Sequence, residues 1–248
     1  MLSRLSYFLL ALLLLHVALE TAQAQTADAE DDYYYEGEYE DDEFEDDYYY
    51  DSGGIADPVY YFNKTMYRIN DKLYFWVLEP VASGYANVLP EARRVNVRNF
   101  FQNLDAPVRI VNCLLQGKAL GAGHEIRAFA INTTVGIAGF RDAAGIDYAK
   151  EDFGQTLAVY GIGHGCYLVW PVLGPSSLRD TVGRFCDRLV SPLSYAPYVW
   201  QLGARVTNVI NDTSSRLGKY ERLKEAAFDP YSSIRDIYIQ LRAEKVRK

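Results

Sequence analysis

Enzymatic chemistry needs a nucleophile, a base or a metal ligand at a recognisable spacing, and this sequence offers few. Beyond residue 24 it holds two histidines, His124 and His164. Neither belongs to an H-E-x-x-H pair or to a Cys/His cluster with zinc spacing. The G-x-S-x-G elbow is missing, so its serines, histidines and aspartates do not form a hydrolase order. Gly161-Ile162-Gly163-His164-Gly165 has the look of a nucleotide loop. Counted from Gly163, however, the fingerprint's third glycine falls on Leu168, and an apolar run follows where a helix should start. Backbone bending is the better reading. Cys113, Cys166 and Cys186 form no C-x-x-C pair. They allow at most one internal disulfide plus a spare thiol, or serve as small buried apolar residues. The sequence therefore points to no catalytic residue, no resident metal and no cofactor.

What stands out instead is uncharged polarity on apolar segments. Asn63, Asn70, Asn99, Asn103, Asn112, Gln116 and Asn132 are amides among aliphatic and aromatic neighbours. They could line a path that tolerates polar and apolar groups alike. They could equally be buried amides that pair with backbone, the reading adopted for Asn112 and Asn132. Arg179 could contact a phosphate. It could also pair locally with Asp180, which suits a helix start.

These residues need elements to hold them, and the pattern is mainly α. Asp57-Pro58 suits a helix start, with Asp57 as cap. Val59, Phe62, Met66, Ile69, Leu73 and Trp76 then recur in steps of three and four, and Asn63 and Asn70 lie beside that stripe. Pro80 should end the helix. Further helices are expected over 91–104, from Pro107 to Gln116 with Gly117 as stop, and over 120–133 with a face of Ile126, Phe129 and Ala130. Between 136 and 175 glycine recurs, at Gly136, Gly139, Gly145, Gly154, Gly161, Gly163, Gly165 and Gly174. This predicts irregular chain with short strands or a hairpin, in which Phe153, Gly154 and Gln155 build a turn. Ser177 with Asp180 fits a capping box. The helix behind it should bury Leu178, Val182, Phe185 and Leu189. Two more helices are expected, within 198–214 and from Asp229-Pro230 onward.

Residues 1–24 read as a signal peptide: Arg4, an apolar run from Tyr7 to Leu15, then Ala22-Gln23-Ala24. No cysteine lies near that site, so no lipid-attachment signal is expected there. Residues 25–54 form an acidic, tyrosine-rich tail and linker. From Asp28 to Asp51 there are 14 acidic residues, 7 tyrosines and no Lys or Arg. Such a run repels itself and lacks aliphatic residues to bury, so disorder is expected. The chain's net charge of −8 thus belongs to the tail, and residues 55–248 carry +6. A basic surface suits anionic lipid headgroups or an acidic partner. It would suit nucleic acid on charge alone, a partner an exported protein rarely meets.

Four segments resemble the MlaA/VacJ family of phospholipid-binding lipoproteins. They are DPVYYFNKTMYRIN at 57–70, NFFQNLDAPVRIVNCLLQGK at 99–118, INTTVGIAGFRDAAG at 131–145 and DFGQTLAVYGIGHGCYLVWPVLGPSSLRD at 152–180. They keep the family order and cover about half of the chain. The sequence departs from the family pattern at Tyr60 and Glu79. It departs again at Ala128, where arginine is usual and Arg127 stands one position earlier. The lipobox cysteine and any counterpart of the acidic tail are also missing from the match.

The resemblance implies a ring-like helical fold over residues 55–248, embedded from the periplasmic side of the outer membrane. It implies partners: phospholipid, a trimeric porin and a periplasmic lipid carrier. The expected function is to pass mislocalised phospholipid through an amphipathic channel and so maintain lipid asymmetry. The alternative is a porin-associated structural protein that transports nothing. The lipid-passage candidates are Phe62, Asn63, Asn70, Asn99, Phe100, Asn103 and Arg179. The framework candidates are Asp57, Pro58, Pro107, Gln116, Gly117, Asn132, Gly136, Gly139, Phe153, Gly154, Gly174, Pro175 and Asp180.

Overall fold

Helix α1 (Tyr60–Leu73) does not end where its proline suggests. It passes through one π-turn (Tyr74–Leu78) into α2 (Glu79–Val88). The Glu79 N–H reaches back five residues to the Tyr74 carbonyl. That wider turn relaxes the spacing just before Pro80, whose ring would otherwise press on the preceding turn and whose missing N–H would break the ladder. Asp57 is not the cap of α1 either. Its carboxylate accepts from Asn63 Nδ2 at 2.6 Å and from the Tyr231 hydroxyl.

The computed structural model describes residues 55–147 and 150–247. The expected signal peptide and acidic tail lie outside the described residues. After α2 come α3 (Glu91–Leu104), α4 (Ala106–Leu115) and α5 (Ala119–Thr134). Pro107 sits in the first turn of α4, and Gly117 takes the left-handed conformation that stops it. A short helix, α6 (Phe153–Val159), stands where a turn was expected. A complete capping box starts it: the Asp152 side chain accepts from the Gln155 N–H, and the Gln155 side chain accepts from the Asp152 N–H. The hairpin follows, with β1 (Tyr167–Trp170) antiparallel to β2 (Gly174–Ser177) and Trp170 opposite Gly174. Then come α7 (Leu178–Val190), a 3₁₀ turn (Pro192–Tyr195), α8 (Tyr198–Ser214), α9 (Lys219–Ala226) and α10 (Pro230–Arg247). Ser177 caps α7, accepting from the Asp180 N–H at 3.1 Å, but the expected capping box is only half formed, because the Asp180 carboxylate is taken by Tyr238, Arg179 and Arg242.

Most helices form where periodicity puts them, although α6 and α9 stand where none was expected, and two of the others do not bury the apolar face named above. On α5 the buried residues are Ala122, Glu125, Ala128 and Asn132, while Ile126 is exposed. On α7 they are Arg179, Asp180 and Gly183, while Leu178, Val182, Phe185 and Leu189 are exposed, the last by 72%. The stripe of α1 also turns outward at Phe62, Ile69 and Leu73. A periodic stripe shows that one face differs from the other. Which face turns inward depends on the surroundings. The apolar cluster that is buried is small: Tyr167, Val169 and Tyr231, with Tyr60, Met66, Tyr67 and Tyr238 packed against it.

Helices α6 and α7 cross where both lack a side chain. A Cβ on Gly183 would lie 2.5 Å from the Gly154 nitrogen and 2.8 Å from its Cα. Backbone cannot swing away as a side chain can, so Gly183→Ala is expected to destabilise the fold by about 2 kcal/mol. Gly123, in α5, has nothing within 4 Å of such a Cβ. Gly123→Ala should leave stability unchanged within about 0.5 kcal/mol or raise it. Denaturation of the detergent-solubilised protein compares the two.

Candidate functional site

With apolar faces outward, the interior is built from polar side chains that satisfy one another. Asn63 is fully buried. Its amide donates to the Tyr167 carbonyl at 2.9 Å and accepts from the Val169 N–H at 2.8 Å. Asn70 repeats this two turns on, donating to the Trp170 carbonyl and accepting from the Val172 N–H. The two amides on α1 thereby act as the missing neighbour strand of β1, and they fix the hairpin turn in place. Val172 at that turn has a left-handed φ of 66°, unusual for a β-branched residue.

A second network joins α4, α6 and α7. Asn112 donates to Asp187 Oδ1 at 2.9 Å and accepts from Thr156 Oγ1 at 2.8 Å. Gln116 donates to Glu151 and Thr156. Burial pushes the Asp187 carboxyl up, against the opposing pull of its hydrogen bonds from Asn112 and the Phe153 N–H. Asn132 organises the loop after α5, accepting from the Ala143 and Ala144 N–H groups. In that loop Gly136 and Gly139 meet backbone and Asn103 so closely that a Cβ would clash.

The third network is charged. Arg242 on α10 bridges Asp152 at 2.6 Å and Asp180 at 2.7 Å. Arg179 pairs with Asp180 at 3.1 Å and reaches His164 and the Ile162 carbonyl. Burial alone would raise the Asp180 carboxyl. The hydrogen bond from Tyr238 and the charges of Arg242 and Arg179 outweigh it and hold it below the usual range. Burial, then Arg179, depresses His164.

A cavity of about 570 Å³ opens between α3, α4, α7 and α8. Its walls mix apolar side chains (Phe101, Leu104, Leu193) with cations (Lys150, Arg184, Arg188, Arg205), and Leu173 of the hairpin turn reaches it. None of the seven lipid-passage candidates is among the lining residues. Phe62 sits on the exposed outer face, Asn63 and Asn70 hold the hairpin, and Arg179 lies in the charged network. Asn99 is half-buried on α3. Phe100 stacks on Phe140 at 4.8 Å, and Asn103 donates to Thr133. Sequence reasoning missed the lining arginines. Two signals could have found them: the positive surplus of residues 55–248, and the four-residue spacing that puts Arg184 and Arg188 on one face of α7. Gly174 and Pro175 shape the hairpin, and the Pro175 carbonyl accepts from Arg184. The three cysteines are free. Among the described residues, no group of three or more His, Cys, Asp or Glu is placed to hold a metal.

Comparison with known proteins bears on this arrangement. The profile of the MlaA lipoprotein family matches residues 55–245. The intermembrane phospholipid transport system lipoprotein MlaA of Shigella flexneri is 34% identical over 197 residues, covering 77% of this chain and 78% of that protein. An uncharacterised protein of Rickettsia bellii is 33% identical over 198 residues, covering 78% of each. A solved structure described as the structural basis for maintenance of bacterial outer membrane lipid asymmetry superposes with a TM-score of 0.71 at 31% identity. It covers 77% of this chain and 99% of its own.

Two expectations follow from the networks. Asn63→Ala leaves the Tyr167 carbonyl, the Val169 N–H and Asp57 short of a partner in a buried setting, at a cost of about 3 kcal/mol. Asn70→Ala, whose partners are the half-buried Trp170 and the exposed Val172, should cost about 1 kcal/mol. Denaturation in detergent measures both. For Asp180 the depressed carboxyl contributes stability that is present above the ordinary carboxylate range and lost as pH falls below it. Arg242→Gln removes the charge and the hydrogen bond of Arg242, two of the influences that hold this carboxyl down, so less of that stability remains. The stability gap between the parent and Arg242→Gln should be widest at neutral pH and narrow below about pH 4.

Proposed function

The chain belongs to the MlaA lipoprotein family, and from that membership we propose that it moves phospholipid as the outer-membrane component of an intermembrane transport system. The observation that carries the reading is the inverted polarity of the fold around an amphipathic cavity. Trp76, Phe185, Leu189, Tyr198 and Trp200 are all more than 60% exposed, while Asn63, Asn112, Asn132 and Asn211 are at most 1% exposed. Large contiguous apolar surface in water is unfavourable at about 25 cal/mol per Å². Acyl chains remove that cost. No helix among the described residues is long and apolar enough to cross a membrane. The fold is therefore read as embedded from the periplasmic face, with outward faces of α1, α7 and α8 among lipid tails and aromatic side chains near the headgroups.

The passage is proposed to run through the cavity. A headgroup would follow its charged and amide-bearing wall while the tails follow Phe101, Leu104 and Leu193. Keeping tails out of water matters, since each exposed CH2 costs ~0.8 kcal/mol. No covalent bond is made or broken. A periplasmic carrier would set the direction, and a trimeric porin would be the partner in the membrane. Within this reading Asn63 and Asn70 act through the hairpin, whose Leu173 borders the cavity, and Phe62 anchors the adjoining outer face.

Removing the chain from its host should raise outer-leaflet phospholipid and detergent sensitivity, and restoring it should reverse both. Normal asymmetry without the chain would refute the reading. Asn70→Ala, expressed at the parent level, is expected to restore asymmetry only in part. The scaffold alternative predicts instead a porin complex that purifies without lipid and full function in that variant.

A further inference from the structure

The charges around the cavity do not balance. Lys150, Arg184, Arg188 and Arg205 line it, and among the described residues none of them forms an ion pair. Most of the other lining charges are engaged elsewhere in the fold. Arg109 is paired with Glu125, Glu151 with Lys118, and Asp152 with Arg242. Two carboxylates remain, Asp105 and Asp187. Asp187 already accepts from Asn112 and from the Phe153 N–H, and burial disfavours its charge. Cations that no carboxylate neutralises give the cavity a positive field that suits an anionic group.

We propose that this cavity selects phospholipids whose headgroup carries net negative charge over zwitterionic ones. Arg188 and Arg205 supply the attraction. This rests on the passage reading and deepens it. A zwitterionic headgroup brings its own ammonium, which meets the same cations and offsets what its phosphate gains. An anionic headgroup keeps the phosphate's attraction whole. Both arginines are exposed at the cavity, so their charges are partly screened by solvent. The expected preference is therefore modest, roughly fivefold, which is about 1 kcal/mol at 1.4 kcal/mol per tenfold.

The test is lipid mass spectrometry of the full chain extracted from membranes of known composition, compared with the variant Arg188→Gln/Arg205→Gln. Among the described residues neither side chain is in an ion pair; Arg188 lies over the Phe185 ring at 5.6 Å, on the exposed face of α7. The bound anionic-to-zwitterionic ratio should exceed that of the membrane by roughly fivefold in the parent and fall to the membrane ratio in the variant. Charge reversal, Arg188→Glu/Arg205→Glu, should push it below that ratio. If lipid is bound at the membrane ratio in all three, selectivity is overturned while passage stands. If no phospholipid is bound by any of them, the passage reading falls as well. A titration with glycerol phosphate separates the sources. Saturable binding of that soluble phosphate, with no enrichment of anionic lipid, would make this a free-phosphate site and overturn the lipid assignment.

Discussion

A polar group that leaves water must find its hydrogen bonds inside the protein, and in this fold most groups that leave water are polar. Asn63, Asn112, Asn132 and Asn211 are all but inaccessible. Each amide joins elements far apart in sequence or settles a loop. Asn211, for example, accepts from Tyr85 and donates to the Arg94 carbonyl, tying α8 to α2 and α3. An asparagine suits this work because it offers donor and acceptor on a short stem without the desolvation cost of charge. The architecture follows from that requirement. Helices meet where their amides can be satisfied, and their aliphatic faces are left for a surrounding that is not water.

The same requirement shapes the cavity. A carboxylate that leaves water needs a cation or hydrogen bonds: buried Asp57 takes Asn63 and Tyr231, while buried Glu125 and Asp180 and the partly exposed Asp152 each take an arginine. Removing one member of such a pair would strand a charge in a poorly polarisable medium, which is why the networks are interlocked. Once those carboxylates are engaged, the basic surplus of residues 55–248 has no internal counterpart. Part of it gathers on α7 and α8 at the cavity. The electrostatic character of the proposed passage is in this sense a remainder, left by what the fold itself consumes.

Helix positions were legible because their punctuation is local. Pro107, Gly117 and Ser177 act within one turn of where they stand, and each did what its chemistry predicts. Pro80 was misread because its effect depends on whether the preceding turn can widen, and nothing local to Tyr74–Leu78 announces a π-turn. The capping box of α6 was legible in Asp152 and Gln155 and was passed over among the glycines. The faces of α5 and α7 could not be read from periodicity, which is blind to the surrounding solvent. The family resemblance located the motif residues but not their roles. For Asn63 and Asn70 the sequence left passage lining and pairing with backbone both open, and in the structure both amides pair with the backbone of the hairpin. Arg184, Arg188 and Arg205 lie beyond the last recognisable segment, which ends at Asp180, and spacing alone could not bring α7 and α8 together around one space.

The spacing of Asn63 and Asn70 has a geometric reason. Seven residues of α-helix advance about 10.5 Å. Three residues of β-strand advance about 10 Å. Asn63 bridges the Tyr167 carbonyl and Val169 N–H, and Asn70 bridges the Trp170 carbonyl and Val172 N–H, three residues along. Helix and strand are therefore commensurate over this interval, and one amide on each side of it satisfies an edge that would otherwise be unpaired. A two-stranded hairpin is marginal by itself. Here its free edge is closed by the Ala56 carbonyl, which accepts from the Tyr167 N–H, and by the two amide side chains instead of a third strand. The left-handed Val172 is held at the turn by the second of those amides, and its neighbour Leu173 is thereby kept against the cavity.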